Sequence, residues 1–358
     1  MNYSYWFANI AGIGNRTKNK LILAAGSAEE LYFLPESQLK RIPDVEEEAV
    51  DRLMQARKSE TQPVYETLCE EGIAFLTLED EAYPEKLRQI PDAPYALYVK
   101  GRLPDENHKS VAIVGARMCS EYGRAVARQL ARRLASHGIC VVSGMARGID
   151  AAGHTGALEA DGITCAVLGC GVDICYPKSN AQLYQNILQK GCILSEYPPG
   201  TPPQPMLFPQ RNRIISGLSD VVVVVEARAR SGSLITADQA LEQGRDVYAV
   251  PGRMYDSLSS GCNGLIRQGA GIISNIEDFV KELEVSGINE YRQENFENLL
   301  LEKEESLVYS CVDLRPRNIE ELLQKTKLPM PVLAQILAQL QHKGFIAETF
   351  KNYYIRQS

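Results

Sequence analysis

No apolar run in this sequence approaches the roughly 18 to 20 residues that a membrane-spanning helix needs. The first residues, Met1-Asn2-Tyr3-Ser4-Tyr5-Trp6, lack the basic start and cleavage site of a signal peptide, so the chain is expected to stay in the cytoplasm. Its nine cysteines are odd in number and contain no Cys-x-x-Cys pair. That spacing excludes a disulfide framework and a zinc knuckle, and the thiols read as small core residues. Cys170 and Cys175, which flank a loop, are the one pair weighed as metal ligands, and no metal is expected. A P-loop is also missing, because no Gly-Lys-Ser/Thr follows a Gly-rich turn.

What is present is an ordinary globular composition, 45% hydrophobic and 23% charged, in 358 residues, enough for two or three domains. The net charge of -7 argues against a polyanion partner until its distribution is read. Residues 1–108 carry 12 basic and 19 acidic side chains, 109–275 carry 16 and 12, and 276–358 carry 10 and 14. The positive charge lies in the middle of the chain, where near charge matters more than distant charge in physiological salt.

The middle stretch is organised around Pro209 to Ala240. Val221 to Val225 has no period-2 alternation, so both its faces should be buried, as in a central parallel strand. Further strands are expected at Val111–Val114, Ile139–Val142, Thr164–Leu168, Cys192–Leu194 and Val247–Val250. Helices are expected near Glu121–His137, Ile149–Ala160, Asn180–Gln189, Asn212–Leu218 and Leu234–Gln243. The alternation predicts an α/β fold, an extended Rossmann-like doubly wound parallel sheet over 109–282. Most strands end in Gly or hydroxyl residues: Gly115-Ala116-Arg117, Ser143-Gly144-Met145-Ala146-Arg147, Gly169-Cys170-Gly171, and Pro251-Gly252-Arg253. After the central strand come Arg228, Arg230 and the helix-opening turn Ser231-Gly232-Ser233, whose free N–H groups suit an anion. A row of phosphate-sized concavities fits a strand of phosphates better than one cofactor.

Two nucleotide readings fail on particular residues. Dinucleotide binding would need Gly-x-Gly-x-x-Gly where the chain has Gly115-Ala116-Arg117-Met118-Cys119-Ser120, and an acid where it has Ser143. The alternative, a nucleotide phosphoribohydrolase-like Rossmann enzyme, would need Pro-Gly-Gly-x-Gly-Thr-x-x-Glu where the chain reads Ser231-Gly232-Ser233-Leu234-Ile235-Thr236-Ala237-Asp238. No catalytic set emerges. His154 near Asp150 reads as a capping or core residue, and Glu226 as the ion-pair partner of Arg228 or Arg211.

On either side of this domain the pattern changes. Residues 1–62 read as a helical domain with helices at Tyr3–Ala8, Thr17–Ala25, Ala28–Phe33, Pro35–Lys40 and Val45–Lys58. Between the first two, Gly12-Ile13-Gly14 forms a turn that is either a packing hairpin or a phosphate-facing one. Residues 63–108, with a strand at Ile73–Leu78 and then many prolines, read as an extended connector. An acidic linker at 283–298 precedes helical patterns at Leu299–Cys311, Asn318–Thr326 and Pro331–Lys343, and two short strands follow, giving a winged-helix domain over 299–358. That module is poor in cations for a DNA reader, so a protein-contact or regulatory role is favoured.

The motifs Val114-Gly115-Ala116-Arg117, Ser143-Gly144-Met145-Ala146-Arg147-Gly148-Ile149-Asp150, Tyr176-Pro177-Lys178-Ser179-Asn180, Phe208-Pro209-Gln210-Arg211-Asn212-Arg213 and Ser231 to Asp238 run in order and resemble the DNA-processing protein family, DprA/Smf. The resemblance implies a non-enzymatic protein without cofactor that binds single-stranded DNA, protects it and loads the RecA recombinase on it in natural transformation. Carried over by motif, Arg117 and Lys178 would be the principal phosphate contacts, with Gly144, Arg147, Arg211, Asn212, Arg213, Ser231, Gly232 and Ser233 around them. Both cations follow strands and should reach one carboxyl edge, together with Gly115, Ser143, Gly171 and the helix-start amides at Ser120. A homodimer is expected through the apolar Leu265, Ile266, Ile272 and Ile273, which fall on a short helix and an edge strand. The N-terminal helical domain matches the family only loosely, as a SAM or helix-hairpin-helix-like module.

Overall fold

The computed structural model describes residues 2–58, 61–106, 108–283, 303–312, 317–343, 345–350 and 352–356. The linker read over 283–298 lies outside them from residue 284 onward. The chain forms two units, 1–277 and 278–358.

In the first unit a nine-stranded sheet runs in the order β1-β2-β6-β5-β4-β3-β7-β8-β9. Its middle is parallel: β3 (Ser110–Val114) lies between β4 (Cys140–Ser143) and β7 (Val221–Val224). The chain adds β5 (Thr164–Val167) and β6 (Cys192–Ser195) beyond β4, then crosses back to add β7, β8 (Asp246–Ala249) and β9 (Gly271–Ile272) on the other side. Every residue of β3, β4, β5, β6 and β7 is buried, the expected outcome for strands without alternation. The helices α8 (Glu121–Ser136), α9 (Ile149–Glu159), α10 (Ala181–Lys190), α11 (Leu207–Gly217), α12 (Gly232–Glu242) and α13 (Ser260–Arg267) alternate with these strands. α8 and α9 approach closely at Gly156, where a Cβ would stand 2.1 Å from the Arg128 carbonyl oxygen.

Two expectations change here. Residues 63–108, expected as an extended connector, join the sheet itself, and the strand expected at Ile73–Leu78 is present at Ile73–Thr77. After α6 (Gln62–Glu70) they supply β1 (Ile73–Thr77) and β2 (Ala96–Gly101), separated by the short α7 (Glu85–Arg88). β2 pairs antiparallel with β6, placing Val99 opposite Leu194, and β1 pairs antiparallel with β2. The prolines between them shape the crossing rather than forbid pairing, since strand residues 96–101 contain none. The helix expected at Asn212 begins five residues earlier, at Leu207, because Pro209 falls in its first turn, where an N–H has no intrahelical partner.

The N-terminal helices α1 (Tyr3–Ala8), α2 (Asn15–Ala25), α3 (Ala28–Phe33), α4 (Glu36–Leu39) and α5 (Glu47–Ala56) enclose Trp6, Phe7, Leu21, Leu31 and Leu53. Their core continues onto Tyr95 and Ala96 at the start of β2. The Asn15 amide donates to Glu196 at 2.9 Å, and the Tyr95 N–H donates to the Asn15 side-chain oxygen at 3.1 Å, so the hairpin end of this bundle is fastened to the sheet.

Residues 276–283 are helical (α14). In the second unit α15 (Lys303–Cys311), α16 (Ile319–Thr326) and α17 (Met330–His342) pack around Val308, Leu322, Leu333, Leu337 and Leu340. A small sheet in the order β10-β12-β11 is formed by Arg317–Asn318, Tyr353–Arg356 and Ile346–Phe350.

Candidate nucleic-acid interface

Where the chain crosses from one side of the sheet to the other, between β3 and β7, the loops at the carboxyl ends part and leave a crevice. A cleft of about 430 Å³ opens there. Its walls include Gly115, Arg117, Ala146, Phe208, Arg211, Asn212, Arg228, Arg230, Ser231, Gly232 and Ser233. The Arg117 guanidinium stands 5.2 Å from the centre of the Phe208 ring, and Tyr176 stacks on that ring at 5.5 Å. Lys178 follows two residues after Tyr176 on an exposed turn, held in place by the Asn180 amide donating to the Met145 carbonyl at 2.9 Å.

The loops after five consecutive strands of the sheet each present an exposed cation: Lys178 after β5, Arg147 after β4, Arg117 after β3, Arg228 and Arg230 after β7, and Arg253 after β8. Among the described residues none of these six enters an ion pair, whereas many other cations do. With strands about 4.8 Å apart, the row extends about 19 Å across the sheet. The acid in the cleft wall is Asp150, which is buried and accepts from the Ala146 N–H at 3.4 Å. Burial raises its pKa, against the pull of Arg211 and Arg117. The turn Ser231-Gly232-Ser233 opens α12, its hydroxyls 2.9 Å apart, and a Cβ at Gly232 would meet open space. Asn212 reaches the same turn, its amide donating to the Gly232 carbonyl at 3.3 Å.

Several residues expected at this site are engaged elsewhere. Arg213 is buried and faces away from the cleft, bonded to Glu196 at 2.8 and 2.6 Å and to the Asp92 carbonyl at 2.9 Å. Arg211 borders the cleft but is only 3% exposed, and its guanidinium donates to the carbonyls of Gly144 and Val167. Desolvation lowers its pKa to about 10, so it acts as a clamp on two loops rather than as an open phosphate contact. Ser143 is fully buried, its hydroxyl donating to the Ile113 carbonyl at 2.6 Å. The Gly171 N–H is taken by the Thr201 carbonyl at 2.9 Å.

The expected anion site at the start of α8 is already filled. Glu226 accepts from the Ser120 N–H at 2.8 Å and from the Ser120 hydroxyl, so a carboxylate of the chain itself caps that helix. Glu226 therefore makes no ion pair with Arg228 or Arg211, and Ser120 is not open to a ligand. His154 is a core residue, with its Nδ1 2.7 Å from the Thr164 hydroxyl; burial lowers its pKa to about 3. Cys170 and Cys175 are free thiols, and no metal-holding cluster occurs among the described residues.

Of the apolar set expected on a dimer surface, Leu265 and Ile273 are buried within the chain itself, 6% and 5% exposed. Ile266 is half-buried, and Ile272, 54% exposed on β9, faces outward. The short period of β9 places alternate residues on opposite sides, so neighbours 272 and 273 cannot both face a partner. Two residues not assigned to the site from sequence, Phe208 and Arg253, stand on it or beside it; Phe208 directly precedes the Pro-Gln-Arg-Asn-Arg segment, which is the signal that would have found it.

Comparison with known proteins agrees with this geometry. A family model described as DNA recombination-mediator protein A matches residues 74–284. The DNA processing protein DprA of Streptococcus pneumoniae is 45% identical over 205 residues, covering 57% of this chain and 72% of that protein. Protein Smf of Escherichia coli is 37% identical over 281 residues, covering 76% of this chain and 75% of its own. The crystal structure of the Streptococcus pneumoniae protein superposes with a TM-score of 0.70 at 35% identity, covering 79% of this chain and 98% of that one. DNA processing protein A of Helicobacter pylori, whose structure is described for its single-stranded DNA binding mode, superposes with a TM-score of 0.54 at 33% identity over 60% of this chain and 96% of its own. The matched segment contains the whole parallel sheet with its cation row, and the chain belongs to the DNA recombination-mediator protein A family.

Proposed function

We propose that this protein binds single-stranded DNA across the carboxyl edge of its sheet, shields it and delivers it to the RecA recombinase during natural transformation, without catalysing a reaction. The observation that carries the reading is the row of six exposed, unpaired cations on the loops of five neighbouring strands. A mononucleotide brings its phosphates to one point, whereas a row about 19 Å long matches a polymer of phosphates. Guanidinium and ammonium groups grip phosphate whatever base is attached, so binding is sequence-tolerant and weakens steeply with salt. The relative described for single-stranded DNA binding and the family's description as a recombination mediator support the same role. The non-enzymatic part is supported by the cleft's carboxylate, Asp150, being buried and engaged by the Ala146 N–H.

Self-association to a homodimer is supported by the exposed Ile272 on the edge strand β9 and would place two DNA tracks on one particle. In the C-terminal unit the order α15, β10, α16, α17, β11, β12 supports the reading of a winged helix, whose role is contact with protein rather than DNA. The N-terminal bundle, a SAM or helix-hairpin-helix-like module, serves as a scaffold docked on the sheet, and the protein works in the cytoplasm. The test is a titration of an oligothymidine at two salt concentrations with wild type, Arg117→Ala and Lys178→Ala. Each variant is expected to bind about ten-fold or more weaker and to lower the salt slope by roughly one charge or less. Equal affinity in both variants with folding intact, or release of base from nucleotide monophosphates, would overturn the reading.

A further inference from the structure

The cation row runs beyond the cleft, and its last member, Arg253, lies two residues before a fully presented aromatic ring, Tyr255. We propose that the loop after β8 extends the DNA track, with Tyr255 and Met254 stacking a base and Arg253 holding the adjoining phosphate; this rests on the single-stranded DNA reading above. Tyr255 is 98% exposed and Met254 81%, and all residues from Pro251 to Ser257 face solvent. A single exposed apolar side chain is ordinary on a protein surface. Here two are consecutive, directly follow an unpaired arginine, and lie on the carboxyl edge next to the loop of Arg228 and Arg230.

The loop is also built to hold that shape. The Gly252 N–H donates to the Asn263 side-chain oxygen at 3.2 Å, and its carbonyl accepts from the Asn263 amide at 3.1 Å. At the far end the Ala227 N–H donates to the Leu258 carbonyl at 2.7 Å, which ties the loop to the residue preceding Arg228. Leu258 itself lines the cleft. The carboxylate of Asp256 accepts from the Leu258 N–H at 2.9 Å, so the acid of the loop is turned to its own backbone while Arg253 remains open. A cation beside a ring presented to water is the combination that binds single strands, the charge tracking the phosphates and the ring receiving a base. A strand held at Arg117 and at Arg228 reaches this loop when it is long enough to pass one further strand of the sheet, about 4.8 Å.

Oligothymidines of increasing length, titrated against the full chain at fixed salt, test the idea. Wild-type affinity is expected to rise with length, and Tyr255→Ala to lose about five-fold or more on the long oligomers while matching wild type on the shortest that binds. Tyr255→Phe should keep the long-oligomer affinity, and Arg253→Ala should lower the salt slope by roughly one charge or less. Replacing bases by abasic spacers should remove the difference between wild type and Tyr255→Ala. Arg117→Ala, by contrast, weakens binding at every length. If Tyr255→Ala and Arg253→Ala equal wild type at all lengths, the proposal is overturned. If wild type binds no oligomer at all, the DNA reading itself fails, and this extension with it.

Discussion

Arg213 and Arg117 stand in similar-looking motifs, and the structure assigns them opposite physical roles that one experiment can separate. The side chains of Arg213 and Glu196 are 9% and 8% exposed and meet at 2.6 Å. Replacing Arg213 with Met removes two bonds to Glu196 and one each to the Asp92 and Gln210 carbonyls, and leaves the Glu196 carboxylate buried with the Asn15 amide still donating to it. Breaking a buried pair by deleting one partner costs about 3–5 kcal/mol, because the surviving charge keeps its desolvation penalty. Arg213→Met should therefore lower the urea midpoint of the first unit markedly, yet leave oligothymidine affinity unchanged below the unfolding transition. Adding Glu196→Leu, which removes the orphaned charge, should recover much of the loss. Arg117→Ala should behave in the opposite way: its side chain is exposed and in no ion pair, so stability should shift by no more than about 1 kcal/mol, the scale of its contact with the Phe208 ring, while affinity falls. An Arg213→Met protein of normal stability that has lost DNA binding as fully as Arg117→Ala would refute the reasoning, and Arg213 would belong to the DNA track.

Glu226→Gln should destabilise the chain by about 1–3 kcal/mol in thermal or urea unfolding, since its bonds to Ser120 lose their charge, while oligothymidine affinity is unchanged or higher. Gly148 has φ +79°, and a Cβ there would stand 2.3 Å from the Ala116 carbonyl oxygen and 2.7 Å from that of Arg117. Gly148→Ala should thus cost at least about 2 kcal/mol and also weaken DNA binding by displacing the loop that carries Arg117, both measurable on one preparation. His154 has its pKa lowered to about 3 in the fold against an ordinary 6.5, so the unfolded chain binds the extra proton between those values. Its contribution to stability is full above about pH 6.5 and is lost as pH falls toward 3, at up to about 1.4 kcal/mol per pH unit. The difference in unfolding free energy between wild type and His154→Gln should shrink across that window; a constant difference would place the acid sensitivity elsewhere.

The sequence by itself determined the α/β alternation, because strands buried on both faces must be apolar throughout, and Val221–Val224 shows that locally. It also determined that the positive charge is gathered in the middle domain and that Arg117 and Lys178 follow strand ends, since both are statements about order along the chain. The family was legible in the motifs for the same reason. Which of the cations are open was decided only by tertiary structure. Glu196 lies 17 residues before Arg213, and Glu226 lies 106 after Ser120, so no local pattern announces either partner. Likewise Leu265 and Ile272 look alike in sequence, and only the packing of α13 against the sheet buries the first and leaves the second outside. The strand at Ile73–Thr77 was legible in the sequence, whereas Ala96–Gly101, just after a run of turn-forming prolines, became β2 because the edge of β6 offered unpaired backbone groups to join. Propensity acts over a few residues, whereas the pairing of charges, the covering of an edge and the opening of a cleft depend on which distant segments meet, and that is set when the whole core closes.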